Sequence, residues 1–212
     1  MTPDKLLEHI FEADRSADAA EVTLLQTTPV QLIELICQAT TSALSLDEPV
    51  ERTRQLRRLA DLSAQIPGPE MIDNLIAILD SEDATSRLNA GEALLDLAYE
   101  RYAEFARTVK RLVEQSHQGP SMSELPFIVA EVAEPSAVSL ISAFLQLNDA
   151  DAVAAAIEAL VVVGDPSAQS SLKPLLNDSR TVTLHDEQET LTVSLADLAA
   201  EAIDALSTPS PN

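Results

Sequence analysis

Three histidines, one cysteine and two arginine clusters are the residues of this chain best suited to chemistry, and their placement argues against most of it. His9, His117 and His185 fall on separate predicted elements, so no nucleophile is set beside a base. Cys37 lies in an apolar helical stripe and reads as a core residue, because free cysteine is commonly buried. His185 with Asp186, Glu187 and Glu189 offers metal-ligand types, but the spacing matches no metal motif, and a polar hairpin tip has the same composition. The expectation is therefore no enzyme, no cofactor and no metal. His185 and Glu187 are kept as candidate contacts for a partner.

The arginines form two groups, Arg52, Arg54, Arg57 and Arg58, then Arg101, Arg107, Lys110 and Arg111. On a helix over 50–65, Arg54, Arg57 and Arg58 fall opposite Leu56, Leu59 and Leu62. They read either as a solvated face paired with nearby carboxylates, which contributes little, or as an anchor for an acidic peptide or a phosphate.

Formal net charge is −22, from 13 basic against 35 acidic residues, and only Lys173 and Arg180 among the bases lie beyond residue 111. A nucleic-acid backbone is repelled by such a field, and so is an anionic membrane surface. The same field favours encounter with a basic partner. A single cysteine excludes an internal disulfide. MTPDKLLEHIFEAD has no signal-peptide pattern, and no stretch reaches the roughly 18 apolar residues of a membrane span. A cytoplasmic location is expected.

The elements that must position these groups repeat. Pro69–Leu94 and Pro135–Leu160 share a leading proline, apolar residues at helical spacing, an acidic turn (Asp83 and Asp149) and a closing Glu-Ala-Leu, at an offset of 66 residues. A third copy is split: Pro166-Ser-Ala matches Pro135-Ser-Ala, while Ile203-Asp-Ala-Leu206 matches Ile157-Glu-Ala-Leu160. The two offsets differ by 15 residues, the size of an insertion inside the last unit. Units of about 30–35 residues with two helices each predict stacked helical repeats. With 46% hydrophobic but only 3% aromatic residues, the core must be Leu, Ile, Val and Ala, and the class is all-α.

Helices are expected over 4–14, behind Pro29, over 50–65, 69–80, 84–98, 99–117, 123–133, 135–147, 151–163 and 166–176; residues 18–27 are left open. The pair over 99–133 fills the gap between the two copies and reads as a degenerate repeat. Between Arg180 and Ser194, Val182 and Leu184, then Leu191 and Val193, alternate with Thr, which predicts a β-hairpin with one apolar face. Its apolar face is expected to cap the last repeat. Ser194-Leu-Ala-Asp197 resembles a capping box and opens a final helix to about 207, before a frayed tail over 208–212.

The Leu-rich first helices, Asp-containing turns, Ala-rich second helices and the Gly164-Asp-Pro166 joint resemble HEAT repeats of the bacterial, phycobilisome-lyase-like type. The resemblance covers about 69–207 and implies a right-handed HEAT-like solenoid, continued or flanked by helices of residues 1–68. It departs at the turn Asp–Arg pair, which only Asp80 or Asp83 with Arg87 could make. Val153 stands where the second copy should have its arginine, so an incomplete polar ladder is expected. The family implies a binding scaffold in most relatives and a lyase or DNA-repair activity in a few.

Comparison of the matched second helices gives the sharpest site. Asn89, Glu92 and Asp96 in the first copy become Ala155, Glu158 and Val162 in the second, leaving the helix over 152–163 apolar nearly all round. Either another part of the chain covers it, or a partner does. The leading expectation is a non-enzymatic interaction scaffold for a basic or apolar protein surface, through Ala155, Glu158, Val162, Arg54, Arg57, Arg58, His185 and Glu187. The alternatives are an inhibitor or immunity-type protein masking a basic enzyme, and a tetrapyrrole-lyase-like subunit. Self-association stays open, and neither nucleic acid nor membrane is an expected partner.

Overall fold

The computed structural model describes residues 2–185 and 190–207. The expected hairpin tip, including Glu187, and the expected frayed tail over 208–212 lie outside the described residues. The class is all-α with one small antiparallel sheet. No described helix is long and apolar enough to cross a membrane.

After α1 (Pro3–Leu25), helices come in pairs: α2 (Pro29–Leu44) with α3 (Pro49–Gln65), α4 (Pro69–Leu79) with α5 (Ala84–Glu100), α6 (Tyr102–Glu114) with α7 (Ser121–Val132), and α8 (Ala137–Phe144) with α9 (Ala150–Val163). The last pair is a segmented first member, whose only α-helical turn is α10 (Gln169–Leu172), and α11 (Leu195–Ser207). Between them the chain makes β1 (Thr181–His185) and β2 (Thr190–Ser194). First members touch in the order α2, α4, α6, α8 and the segment after Asp165; second members touch in the order α3, α5, α7, α9, α11. Two layers of helices thus enclose a continuous core in which Ile36, Leu56, Leu75, Leu94, Phe105 and Phe144 are sealed. The pair over 99–133 takes its place in both layers, and α2 and α3 extend them toward the N-terminus.

Local chemistry explains the helix starts. Proline opens five of these segments, where its missing N–H is no loss. Glu48, Asp83 and Asp149 cap α3, α5 and α9 at equivalent turns, accepting from Glu51 N at 2.6 Å, Ser86 N at 2.7 Å and Asp151 N at 3.0 Å. Ser194 caps α11 as expected, accepting from Asp197 N at 3.1 Å and donating to the Asp197 carboxylate at 2.6 Å.

The structure corrects several expectations. Residues 3–25 form one helix, because the stretch left open in the sequence carries Ala19 and Ala20 and has no glycine or proline to interrupt it. The helix expected over 99–117 begins instead at Tyr102, because Arg101 leaves helical geometry to donate to the carbonyls of Ala64 and Ile66, each at 3.3 Å. The helix expected over 166–176 is broken into 3₁₀ turns at Pro166–Ala168 and Lys173–Asn177 flanking α10, since Pro174 has no N–H to continue it.

Three of the turns are held by an arginine, the last by an unexpected route, while among the described residues the turn between α6 and α7 has none. Arg52 donates to Leu46 O at 3.0 Å, and Arg87, at the same place in the next unit, donates to Ser81 O at 3.2 Å and Glu82 O at 3.0 Å. Leu147 and Asn148 are the counterparts of Ser81 and Glu82 at the 66-residue offset. Their carbonyls accept from Arg180 at 2.7 and 3.0 Å, so an arginine from the insertion does here, where Val153 stands in register, what Arg87 does in the first copy. Asp178 grips the same guanidinium at 2.6 Å, and this hydrogen bond together with the nearby charge of Asp149 keeps the Arg180 pKa above its ordinary value despite partial burial.

A buried polar node ties the first units. Asn74 on α4 donates to Thr40 Oγ1 on α2 and to Ser63 Oγ on α3, both at 2.9 Å. All three side chains are buried. At the next joint, Asp80 accepts from Ser121 N at 2.9 Å and pairs with His117 at 2.7 Å. Gly119 is required there. Its φ is 145°, and a Cβ would meet Asp80 Oδ1 at 2.2 Å.

Candidate functional site

The second-layer helices leave hollows between their outer faces. The larger, about 670 Å³, lies over α7, α9 and α11 and is walled at one side by Val182 and Thr183 of β1. The next, about 520 Å³, lies between α5 and α7. Glu124 and Phe127 of α7 line both, so the two hollows lie side by side along the layer and share α7 as a wall.

The floor of the larger one is apolar because α9 and α11 place small residues outward. Ala154, Ala155 and Ala202 floor the larger hollow with Phe127, Val161 and Leu198. Helix α9 is apolar nearly all round for a reason internal to the chain: α7, α8, α11 and β1 all pack on it. Ala155 is 8% exposed, and its apolar character serves that packing while its surface still reaches the larger hollow.

The rim is acidic. Glu124, Asp151, Glu158 and Glu201 surround the larger hollow, and Glu92 and Glu131 the smaller. Among the described residues, the side chains of Glu92, Glu124, Asp151, Glu158 and Glu201 have no ion-pair or hydrogen-bond partner within the chain, so these charges face solvent. The base among the lining residues is Arg87, and its guanidinium is engaged by the carbonyls of Ser81 and Glu82.

The sequence-predicted residues do not converge. Ala155 and Glu158 line the larger hollow; Val162, 62% exposed, lies outside its lining, and Val161 takes that place. Arg54, Arg57 and Arg58 sit on α3, separated from α9 by α5 and α7. Their work is partly internal. Arg58 pairs with Glu21 at 2.7 Å and Asp18 at 3.6 Å, holding the end of α1, and Arg54 pairs with Glu51. His185 closes β1, and Glu187 lies outside the described residues. Glu124, Glu131 and Glu201 were missed by the sequence reading. A signal existed: Glu124 and Glu131 on α7, like Asp151 and Glu158 on α9, stand seven residues apart and therefore share a helix face.

The expected hairpin is present, and its register sets Val182 opposite Val193 and Leu184 opposite Leu191. It does not cap the core over its whole face. Val182 is buried against α9, but Leu191 is 59% exposed, so the apolar face is covered at Val182 and open at Leu191.

Elsewhere the reactive residue types are sequestered. His117, Asp80 and Ser121 are the types of a hydrolytic triad, but Ser121 is fully buried and Asp80 is engaged by the start of α7. Burial first, then the charges of Glu70 and Asp73, pushes the Cys37 thiol above its ordinary value and away from the reactive thiolate. The second arginine cluster borders a hollow beside Gly68, but Arg111 pairs with Asp73, and Gly68 N donates to the Glu104 carboxylate at 3.1 Å. Among the described residues no group of histidine, cysteine and carboxylate side chains is gathered to hold a metal. No protein-family model matches the sequence, and no curated protein is significantly similar to it.

Proposed function

We propose that this chain is a HEAT-like helical-repeat protein of the cytoplasm that works without catalysis, binding another protein along the exposed face of its second helices. One observation carries the reading: adjoining apolar hollows on the outer face of the second helices, edged by carboxylates of which Glu92, Glu124, Asp151, Glu158 and Glu201 have no partner among the described residues. Folded chains rarely expose a connected apolar surface without use for it. In stacked repeats the outer faces of successive helices form the extended surface on which partners are held. The internal pairing of Arg54 and Arg58 favours the hollows over the arginine face as the binding surface.

Photo-cross-linking tests the reading. A photoreactive amino acid placed at position 158 or 124 is expected to give discrete polypeptide adducts in cells, whereas one at exposed Val30 of α2 is not. Adducts of equal yield from all three positions, or none from the hollows, would overturn the assignment.

A further inference from the structure

We propose that the occupant of the larger hollow is a cationic amphipathic helix presented by a partner protein. This names the partner class for that hollow and rests on the protein-binding reading above.

The floor and the rim make separate demands. Ala154, Ala155 and Ala202 leave space that Leu or Phe side chains of an incoming helix can fill, while Phe127 and Leu198 supply apolar walls. Filling such space removes apolar surface from water on both sides, which is how amphipathic helices seat in grooves. Around the floor stand Glu124 on α7, Asp151 and Glu158 on α9, and Glu201 on α11, with no base among the residues lining this hollow. Asp151 and Glu158 lie two helical turns apart, about 10 Å along the axis. A ligand helix with Lys or Arg at i and i+7, and apolar residues between them on the adjoining face, meets both carboxylates while its apolar strip enters the hollow. An apolar ligand would use the floor and leave the rim unmatched; a polycation without an apolar face would do the reverse.

Charge also decides against a second copy of this chain. Helix α1 carries an exposed apolar face of Leu6, Leu7, Ile10 and Phe11, the kind of strip the hollow could receive. That face is flanked by Asp4, Glu8, Glu12 and Asp14, which outnumber the bases Lys5 and Arg15 of the same stretch and would be set against the acidic rim. Like charges across an interface oppose docking.

The test uses the full chain and an 18-residue fluorescein-labelled helix of Lys, Leu and Ala with its lysines on one face, followed by anisotropy. A scrambled peptide of identical composition has no apolar face. Saturable 1:1 binding is expected. Glu124→Gln, Glu158→Gln and Glu201→Gln together should weaken it roughly tenfold, as three partly exposed charge contacts are lost. Ala154→Phe, which fills the hollow without changing charge, should weaken it at least as much. Both variants are checked for unchanged helix content and melting. A control carrying Glu8→Gln, Glu12→Gln and Asp14→Asn removes the same charge from α1 and should stay within about twofold. Equal loss in the control and rim variants, or a scrambled peptide that binds as well as the amphipathic one, would reduce the hollow to general polyanion attraction and overturn the proposal. If the peptide fails while position 158 still cross-links to a polypeptide, the cationic-helix assignment falls and the protein-binding reading stands. If both fail, both fall.

Discussion

The turn after α4 and the turn after α8 occupy the same place in two copies of one unit, and they are held by different parts of the chain. In the first, Arg87 of the following helix reaches back to Ser81 O and Glu82 O. In the second, the equivalent residue is Val153, fully buried, and Arg180 arrives from the insertion to satisfy Leu147 O and Asn148 O. What the repeat preserves is a pair of carbonyls in need of a donor, since a helix end leaves its last carbonyls unpaired. The arginine that meets the need can come from another address. The replacement is also the better-organised of the two, because Asp178 holds the Arg180 guanidinium from behind through both Nε and Nη2.

The two turns should therefore respond differently to loss of their arginine. Arg180→Ala leaves two carbonyls and the Asp178 carboxylate without their charged donor, and is expected to cost about 2 kcal/mol in urea unfolding. It should also loosen the base of the hairpin, read as faster amide exchange at Val182 and Val193. Arg87→Ala removes longer bonds to partly exposed carbonyls and should cost about 1 kcal/mol or less. If the order is reversed, the insertion decorates the turn and does not hold it.

Placing an arginine at the in-register position sharpens the comparison. Val153→Arg alone should destabilise by about 2 kcal/mol, by burying a charge against packed neighbours while Arg180 already fills its site. Combined with Arg180→Ala, the loss should be smaller than the sum by about 1 kcal/mol, because the new guanidinium can reach Leu147 O as Arg87 reaches Ser81 O. Strict additivity would mean that position 153 is too deeply packed for an arginine there to reach the turn as Arg87 does.

This substitution marks the boundary of what the sequence made legible. The paired helices, the acidic caps at Asp83 and Asp149 and the hairpin follow from local rules, each depending on neighbours a few residues away. The break at Pro174 was equally local and could have been read. Arg180 was not readable as a turn residue, because hydrogen-bond donors satisfy carbonyls by position in space, and a comparison at fixed offset sees only the residue in register. The larger hollow divides the same way. Ala155 and Glu158 stood out by comparison with Asn89 and Glu92, whereas Glu124 and Glu201 join the rim only once α7 and α11 flank α9. Val162 belonged to the same helix face in sequence but is rotated out of the hollow.

The smallest effect separates the two turns by proton titration. Asp178 has its pKa lowered from 3.8 chiefly by the hydrogen bond from Arg180, while Asp83, at the other turn, is lowered chiefly by its bond from the Ser86 hydroxyl, with Arg52 a lesser contributor. A carboxylate with a depressed folded value contributes stability that is present above its unfolded value and disappears as pH falls through the folded one. For both groups that window lies below pH 3.8. In carboxyl-carbon NMR titrations, Arg180→Ala should raise the Asp178 midpoint toward the ordinary range and leave Asp83 in place. Arg87→Ala should move neither. The stability gap between the native chain and Arg180→Ala should then narrow below pH 3.8, as protonated Asp178 releases the guanidinium in the native chain as well. An Asp178 midpoint indifferent to Arg180 would mean that the acid and the arginine are neighbours only. The second turn would then be held by its two carbonyl bonds alone, no better organised than the first.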